Sequence, residues 1–394
     1  MDLSKKIFES AARYGDTTAL NLSKLIRQKS LSTKEKKAAC ELVTMMEEAC
    51  FDEVKTDGLG NIIGRIGKGS KVIAFDAHID TVDSGNLDNW SFDPFGGEIK
   101  DGFVNGRGAV DQKGGAAAFI TAGKILKEYG IGDDLTIYFI GSVMEEDCDG
   151  LCWKYIIEKD GIRPDLVIVT EPTNLNIYRG HRGRMEIEVS FFGLSAHGSA
   201  PARGRNAIYM ASRAALEIEK LNSILADDAF LGKGSVAVTE FISSSPSLCA
   251  VADYSRIHLD RRLTWGEDRE LALKQVENIV KDMDAKVEVL SYREKGYTGE
   301  EYEMEKYYPT WKLEEENVYI RKGIQAHYEL FGEMPLVDKW TFSTNAAVIN
   351  GIYKIPVLGF GPGNEIYAHA PDEKVPVDHL IKASAYYAYL CSKL

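Results

Sequence analysis

The 394-residue sequence lacks the features of a membrane protein. It has no apolar run that approaches the roughly 18 to 20 residues of a membrane-spanning helix. Its first residues also lack an apolar stretch between a basic start and a small-residue cleavage site, the arrangement of a secretory signal. We therefore expect neither membrane insertion nor secretion by the usual route.

Long blocks of lysine and arginine are absent as well. The formal net charge is -13 at pH 7, so a nucleic acid or an anionic membrane surface would be repelled. We expect no nucleic-acid partner and no membrane partner. A small molecule or a peptide remains as the expected ligand.

Cysteine is scarce. Six cysteines in a chain of this length, without the spacing of a small disulfide framework, indicate reduced thiols and a cytoplasmic location. Cys148 and Cys152 lie close together and could form an extra metal or redox site. Two buried free thiols are the simpler interpretation.

The sequence does contain enough material for two domains. Apolar strand-like runs alternate with helix-like stretches before residue 181 and again near the end, which predicts an α/β sheet covered on both faces. Between them the order β-α-β-β-α-β predicts a ferredoxin-like unit. We expect a discontinuous first domain, residues 1–181 and 295–394, with residues 182–294 inserted. Residues 292–311 have no clear period and are predicted to be a loop or a return connection.

Two adjacent acids, Glu145 and Glu146, follow the apolar run Leu135–Met144. Successive residues at a strand end point in opposite directions, so one carboxylate can bind a metal while its neighbour stays free as a base. Taken alone, such a pair is more often the start of a solvated loop.

Other residues of metal-binding type stand in similar places. Most follow an apolar strand-like run, and one lies in a glycine-rich approach to a helix. They are His78, Asp80, Asp111, Glu171 and His369. Since ligands in α/β sheets gather at the carboxyl ends of strands, we expect these side chains to converge on one cleft. Two imidazoles with several carboxylates suit a pair of zinc-like ions that share a water.

The same residues belong to an ordered series of motifs. In order these are HIDT from His78, GRGAVDQKGG around Asp111, MEE at Glu145 and Glu146, TEPT at Glu171, GLSAHGSAP around His197, DRR from Asp260, and AHAPDE around His369. The series resembles the dinuclear-zinc family of acetylornithine deacetylase, succinyl-diaminopimelate desuccinylase, aminoacylase and glutamate carboxypeptidase. Within it, EEDCDGLCW and VDKWTFSTN are most similar to the subgroup of hydrolases linked to selenium metabolism, a name that specifies no substrate.

The resemblance implies a zinc-exopeptidase-like catalytic domain with a mixed sheet, and an inserted ferredoxin-like lid that forms a homodimer interface. It also implies two divalent ions, with Zn²⁺ expected first and Co²⁺ or Mn²⁺ as alternatives. Asp111 would bridge the ions. His78 and Glu171 would complete one ligand shell, and Glu146 and His369 the other.

Three further residues receive roles from the resemblance. Glu145 would be the general base for a metal-bridging water, and Asp80 would orient His78. His197 would reach the substrate carbonyl, in some relatives from the partner chain. Without its motif, His197 would be interpreted as an exposed loop residue. A cis peptide bond is also expected after Asp111.

The substrate is less well defined. Arg182 and Arg262 match positions that receive a substrate carboxylate, although ion pairing at the domain junction is the alternative. Cys249 replaces a lid asparagine of relatives, and the segment that ends at Asn345, a candidate substrate contact, also departs from the family pattern. We predict hydrolysis of a linear amide in a small N-acyl amino acid or related compound. The alternatives are a dipeptidase or carboxypeptidase and, from another class, a non-catalytic metal-containing binding protein.

Overall fold

The chain contains two separate large sheets. A computed structural model describes residues 2–131 and 134–394. Within them, α-helices are found at Leu3–Arg13, Gly15–Ile26, Lys36–Glu48, Lys113–Tyr129, Leu151–Glu158, Ala207–Leu221, Arg269–Val280, Val318–Phe331 and Val377–Cys391. None of the described helices combines the length and apolar character needed to cross a bilayer.

The larger sheet is mixed, as expected. In spatial order its strands are Glu53–Thr56, Ile62–Gly67, Leu135–Ser142, Lys71–His78, Leu166–Val169, Val357–Gly359, Ile177–Tyr178 and Val337–Asp338. The four strands from Leu135–Ser142 to Val357–Gly359 run parallel, whereas Ile62–Gly67 is antiparallel to its neighbour. The carboxyl ends of four consecutive strands therefore lie at one edge.

The central strands of this sheet are apolar because helices and loops cover them. Residues 73–78 of the strand Lys71–His78 are all buried, as expected for a strand enclosed on both faces. Its Phe75 ring stacks on Phe139 of the neighbouring strand, with 5.1 Å between ring centroids. The helices Lys113–Tyr129 and Val377–Cys391 pack against each other in the same core.

A small three-stranded sheet joins two distant parts of the chain. The strand Lys374–Pro376 pairs with Phe103–Asn105, which also pairs with Glu98–Lys100. The segment just before Asp111 is therefore held beside the segment that follows His369. This pairing positions two of the motifs found in the sequence.

The second large sheet is antiparallel and has its own apolar cluster. Its main strands, in spatial order, are Ser235–Ser244, Tyr254–Leu263, Gly183–Phe192 and Ala285–Val289. The helices Ala207–Leu221 and Arg269–Val280 pack on it. Chain order and pairing give the β-α-β-β-α-β arrangement predicted from the sequence.

Residues 292–311 are not a plain loop, so this part of the sequence prediction is wrong. Short strands occur there, including Met304–Glu305 and Tyr307–Tyr308, and the latter pairs with Gly183–Phe192 of the second sheet. Such two-residue strands depend on distant partners, so they leave no local period in the sequence.

Cys148 and Cys152 are buried free thiols, as the simpler of the two interpretations expects. The other four cysteines are free as well. Burial raises the pKa of the Cys148 thiol to about 12, and the pKa of Cys152 is raised for the same reason. Both thiols therefore stay protonated at neutral pH, which makes them poor metal ligands and nucleophiles.

Candidate metal centre

The predicted ligands lie at the carboxyl edge of the mixed sheet. His78 is the last residue of the strand Lys71–His78, and Glu171 follows Leu166–Val169 by two residues. Glu145 and Glu146 follow the strand Leu135–Ser142. Parallel strands end side by side, so these groups meet although they are far apart in sequence.

Asp111 lies between two imidazoles. Its Oδ1 is 2.9 Å from His78 Nε2, and its Oδ2 is 3.3 Å from His369 Nε2. Burial raises the pKa of Asp111, but the hydrogen bonds from the two histidines outweigh it and bring the pKa below its ordinary value. One carboxylate thus faces both histidines through different oxygens. The peptide bond from Asp111 to Gln112 is cis, as expected.

Each imidazole also faces a second carboxylate. His78 Nε2 is 3.5 Å from Glu171 Oε1, and His369 Nε2 is 2.9 Å from Glu146 Oε2. The side chains are therefore grouped into the two sets that the motifs imply, with Asp111 between them. Their roles as ligands remain predictions.

The two adjacent glutamates point in different directions. Glu145 Oε2 lies 3.7 Å from His78 Nε2, whereas Glu146 contacts His369. Met144, just before them, has φ 60°, a conformation that costs energy for a non-glycine residue. The backbone therefore turns sharply between the strand and the pair.

His78 is oriented mainly through the main chain of Asp80. The imidazole Nδ1 is 2.9 Å from the Asp80 carbonyl oxygen and 3.5 Å from Asp80 Oδ1. The Asp80 carboxylate instead accepts hydrogen bonds at Oδ2 from Ser32 Oγ and from the backbone N–H of Glu146. If Nδ1 carries the proton and donates to the carbonyl, Nε2 is left free to bind a metal.

The charge of the surrounding cleft fits two divalent cations. The cleft has a volume of about 360 Å³ and is lined by six carboxylates and two guanidinium groups. Carboxylates outnumber guanidinium groups in this lining, so the cleft favours cations. Burial raises the pKa values of Glu145 and Glu171 well above their ordinary value. Among the described residues Glu171 Oε2 has no hydrogen-bond partner, so this buried acceptor is available for a cation.

A comparison with known protein families identifies the family of this chain. The model of peptidase family M20/M25/M40 matches residues 74–393, most of the chain. The chain belongs to this family. It is therefore a hydrolytic enzyme of metallopeptidase type, which confirms the prediction and argues against a non-catalytic binding protein.

Individual relatives are similar over nearly the full length. "Uncharacterized protein YgeY" of Escherichia coli (strain K12) is 47% identical over 386 residues, covering 98% of this chain and 96% of that protein. A "probable succinyl-diaminopimelate desuccinylase" of Staphylococcus aureus (strain MSSA476) is 27% identical over 350 residues, with 82% and 83% covered. The YgeY likeness is consistent with the predicted subgroup.

The fold is shared with solved structures. Aminopeptidase PepT from Bacillus cereus ATCC 10987 superposes with a TM-score of 0.73 at 22% identity. The match covers 96% of this chain and 98% of that chain. At this identity the similarity establishes the M20 architecture and no substrate.

The predicted substrate residues are only partly brought to the cleft. Arg262 lines it, with its guanidinium held by Asp260 at 2.7 and 2.9 Å. Arg182 lies outside the cleft lining and donates to the carbonyl oxygen of Lys233. His197 is exposed on the second sheet's side and contacts Ser199.

Asn345 also lies outside the cleft lining. It is 1% exposed. Its side chain accepts a hydrogen bond from the backbone N–H of Gly150 and donates one to the carboxylate of Asp76. This arrangement supports the framework beneath the site. A direct contact between Asn345 and a substrate remains a prediction.

Several residues of the site were missed by sequence reasoning. Gln112 donates to Glu171 Oε1 at 2.7 Å and accepts from Thr170. Arg184 lines the cleft and donates to Asp149 at 2.8 Å. The position of Gln112 inside the GRGAVDQKGG motif was the one available signal for this group.

Proposed function

We propose that this enzyme hydrolyses a linear amide bond in a small N-acyl amino acid or a related compound, using two divalent ions. The observation that carries the proposal is the position of Asp111 between His78 and His369, each of which faces a further carboxylate. A single carboxylate shared by two imidazoles is the arrangement expected of a bridging ligand.

The donor set determines how the ions would be held. His78 and Glu171 would hold one ion, Glu146 and His369 the other, and Asp111 both. When bound, the ions supply Lewis-acid polarisation of the scissile carbonyl and lower the pKa of water at the site. Zn²⁺ suits a mixture of imidazole and carboxylate, with Co²⁺ and Mn²⁺ as alternatives.

Glu145 is the group placed to move a proton. Its carboxylate lines the cleft and accepts no hydrogen bond from the described side chains. His78 Nε2 lies 3.7 Å from Glu145 Oε2. Burial raises its pKa despite the attraction of His78, which makes it a stronger proton acceptor. Glu145 would take a proton from the attacking water and return it to the nitrogen of the leaving amine.

The inserted unit would act as a lid and as the dimer interface. We place it at residues 182–294, with residues 1–181 and 295–394 as the catalytic domain. The exposed His197 would help to hold the developing oxyanion after lid closure or from a partner chain, and Arg182 and Arg262 would receive a substrate carboxylate. We infer a cytoplasmic location from the six free cysteines, which a reducing compartment would maintain.

A substrate screen by mass spectrometry tests the proposal. The metal-loaded enzyme is incubated with parallel panels of N-acyl amino acids and dipeptides, and Glu145→Ala serves as the control. We expect wild-type products that are absent from the control and from enzyme treated with a chelator. Products from the dipeptide panel alone would favour the peptidase alternative. Equal product formation by Glu145→Ala that retains its metal would refute the assignment of the base.

A further inference from the structure

Two carboxylates of the cleft are not used by the metal centre: Asp149, which is paired with Arg184, and Glu365. Glu365 lies four residues before His369, in the short 3₁₀ turn Glu365–Tyr367, and it lines the same cleft as the ligands. Its Oε2 is buried and has no hydrogen-bond partner among the residues that the structure describes. A buried acceptor of this kind requires an explanation, because leaving it unpaired costs free energy.

The surroundings of Glu365 favour a cation. Thr341 donates to its carboxylate, and the nearby Asp338 is negative and lies 3.6 Å from Lys339 Nζ. Burial without a cationic partner of its own raises the pKa of Glu365, and a positive group beside the carboxylate would favour its charged form. A primary ammonium is compact and carries three donors, so it can satisfy a single unpaired carboxylate oxygen.

The opposite charge is found elsewhere in the cleft. Arg184 and Arg262 are direct partners on adjacent strands of the second sheet, and both line the cleft. Arg184 Nε is buried without a hydrogen-bond partner among the described residues. Arg184 donates through Nη2 to Asp149, and Arg262 is held by Asp260, so Arg184 Nε is the donor that these pairs leave available. One cleft thus offers an unpaired donor and an unpaired acceptor.

We propose that Glu365 is a specificity residue that binds a primary ammonium group of the substrate. The substrate would then be an amide that carries this ammonium as well as a carboxylate. The ammonium is either the α-ammonium of a dipeptide or the side-chain ammonium of an N-acylated diamino acid. The inference rests on the amide hydrolysis proposed above and narrows its substrate class.

Matched pairs of compounds test the inference. Glycyl-L-alanine is compared with N-propanoyl-L-alanine, and Nα-acetyl-L-ornithine with Nα-acetyl-L-norleucine, so that a methyl group replaces the ammonium group in each pair. We expect the enzyme to prefer the ammonium member of one pair by about 10- to 100-fold in kcat/KM, the range of one charge-assisted hydrogen bond. The pair that shows the preference identifies the source of the ammonium.

The variant Glu365→Gln should abolish that preference, so that kcat/KM for the ammonium member falls to the level of the neutral member. Glu315→Gln removes an exposed charge away from the cleft and is the matched control. Equal losses for both members of a pair would indicate a structural role and overturn the inference. The absence of any preference in the wild type would overturn it as well.

A binding measurement separates this inference from the proposed function. The affinity of the metal-loaded enzyme for the same four compounds is measured by titration calorimetry. If none is hydrolysed, the proposed reaction fails for these compounds. A preference for the ammonium member that disappears in Glu365→Gln would still support the inference, and equal affinities in both proteins would contradict it.

Discussion

At the level of single residues, the metal centre depends on a buried ion pair beneath it. Arg107 donates to Glu373 Oε2 at 2.7 Å and to the carbonyl oxygen of His369 at 3.3 Å. Glu373 Oε1 accepts from the backbone N–H groups of Val110 and Asp111, at 2.8 and 3.1 Å. The pair therefore fixes the backbone at the proposed bridging carboxylate and at the second histidine.

Glu373→Gln tests this positioning role. The substitution leaves the buried Arg107 without its anionic partner, which we expect to lower the free energy of unfolding by about 3 kcal/mol. Affinity for the metal should fall by about 10- to 100-fold, the usual effect of losing a group that orients ligands. Competition with a chelator measures the affinity, with Glu315→Gln as the control. Unchanged affinity would show that the pair only stabilises the fold.

The buried His181 should make the free energy of unfolding depend on pH. His181 is buried, and its Nε2 accepts a hydrogen bond from the backbone N–H of Thr344 while Nδ1 faces the carbonyl oxygen of Arg182. Burial lowers the pKa of His181 to about 4. The unfolded chain, with an ordinary pKa near 6.5, therefore binds a proton at mildly acidic pH that the folded chain does not.

The stabilising contribution of neutral His181 is complete above pH 6.5 and is lost as the pH falls toward 4. At pH 5 we expect the loss to be about 2 kcal/mol. His181→Gln does not titrate, so its stability should fall by about 2 kcal/mol less than that of the wild type between pH 7.5 and 5. Urea unfolding at the two pH values measures the difference. Parallel pH profiles would show that His181 is not the titrating group.

The sequence predicted the residues that meet at the centre and one orienting residue, Asp80, but not the ion pair that holds the backbone in place. His78, Glu146 and Glu171 could be found because each follows a recognisable strand. Glu373 and Arg107 stand inside the motifs AHAPDE and GRGAVDQKGG, but their pairing was not predicted, because they are 266 positions apart and their contact depends on the small sheet between them. Contacts between such distant residues become visible only in the folded chain.

At the level of elements, the start of the helix Lys113–Tyr129 is pressed against a strand end. A Cβ added at Gly115 would overlap Thr170 Oγ1 and lie 2.7 Å from Thr170 Cβ. Thr170 precedes Glu171 and donates to Gln112. The absence of a side chain at Gly115 therefore lets the helix approach the strand that carries a predicted ligand.

Gly115→Ala should reverse the usual effect of this substitution. In an open helix the change stabilises by about 1 kcal/mol, whereas here overpacking should destabilise by about 1 to 3 kcal/mol. Metal affinity should fall as well, because Glu171 and Gln112 are displaced. Thermal unfolding and metal titration measure the two effects. A stabilised variant with normal affinity would contradict the close packing.

The sequence also predicted most of the elements. The buried strands of the mixed sheet are continuous apolar runs and the strands of the second sheet alternate, so the order of strands and helices in both parts could be predicted. The helix Leu3–Arg13 was missed although Leu3, Ile7 and Ala11 recur at helical spacing. This spacing is typical of an amphipathic helix, so the first helix could have been predicted from the sequence as well.

At the level of the whole molecule, the second sheet has an open edge that suits a dimer. The strand Ser235–Ser244 pairs on one side with Tyr254–Leu263, and it is the terminal strand of this sheet as described. Phe241 on this strand and Leu216 on the adjacent helix are 43% and 60% exposed. An unpaired strand beside exposed apolar groups is a surface that proteins usually cover.

Leu216→Glu tests the proposed homodimer. A charge at this position should prevent close packing of two lids and shift the protein from dimer to monomer in analytical ultracentrifugation. Leu87→Glu changes a leucine that is 61% exposed but distant in sequence from the second sheet, and it should leave the dimer intact. A wild type that sediments as a monomer would contradict the proposal.

The central claim is that this cleft is a two-metal hydrolytic site in which Glu145 moves the proton. The most direct test is to measure metal content and turnover on the same preparation of Glu145→Gln. We predict two ions per chain, as in the wild type, and turnover reduced by about 100- to 10,000-fold. Turnover within tenfold of the wild type, with both ions bound, would contradict the account.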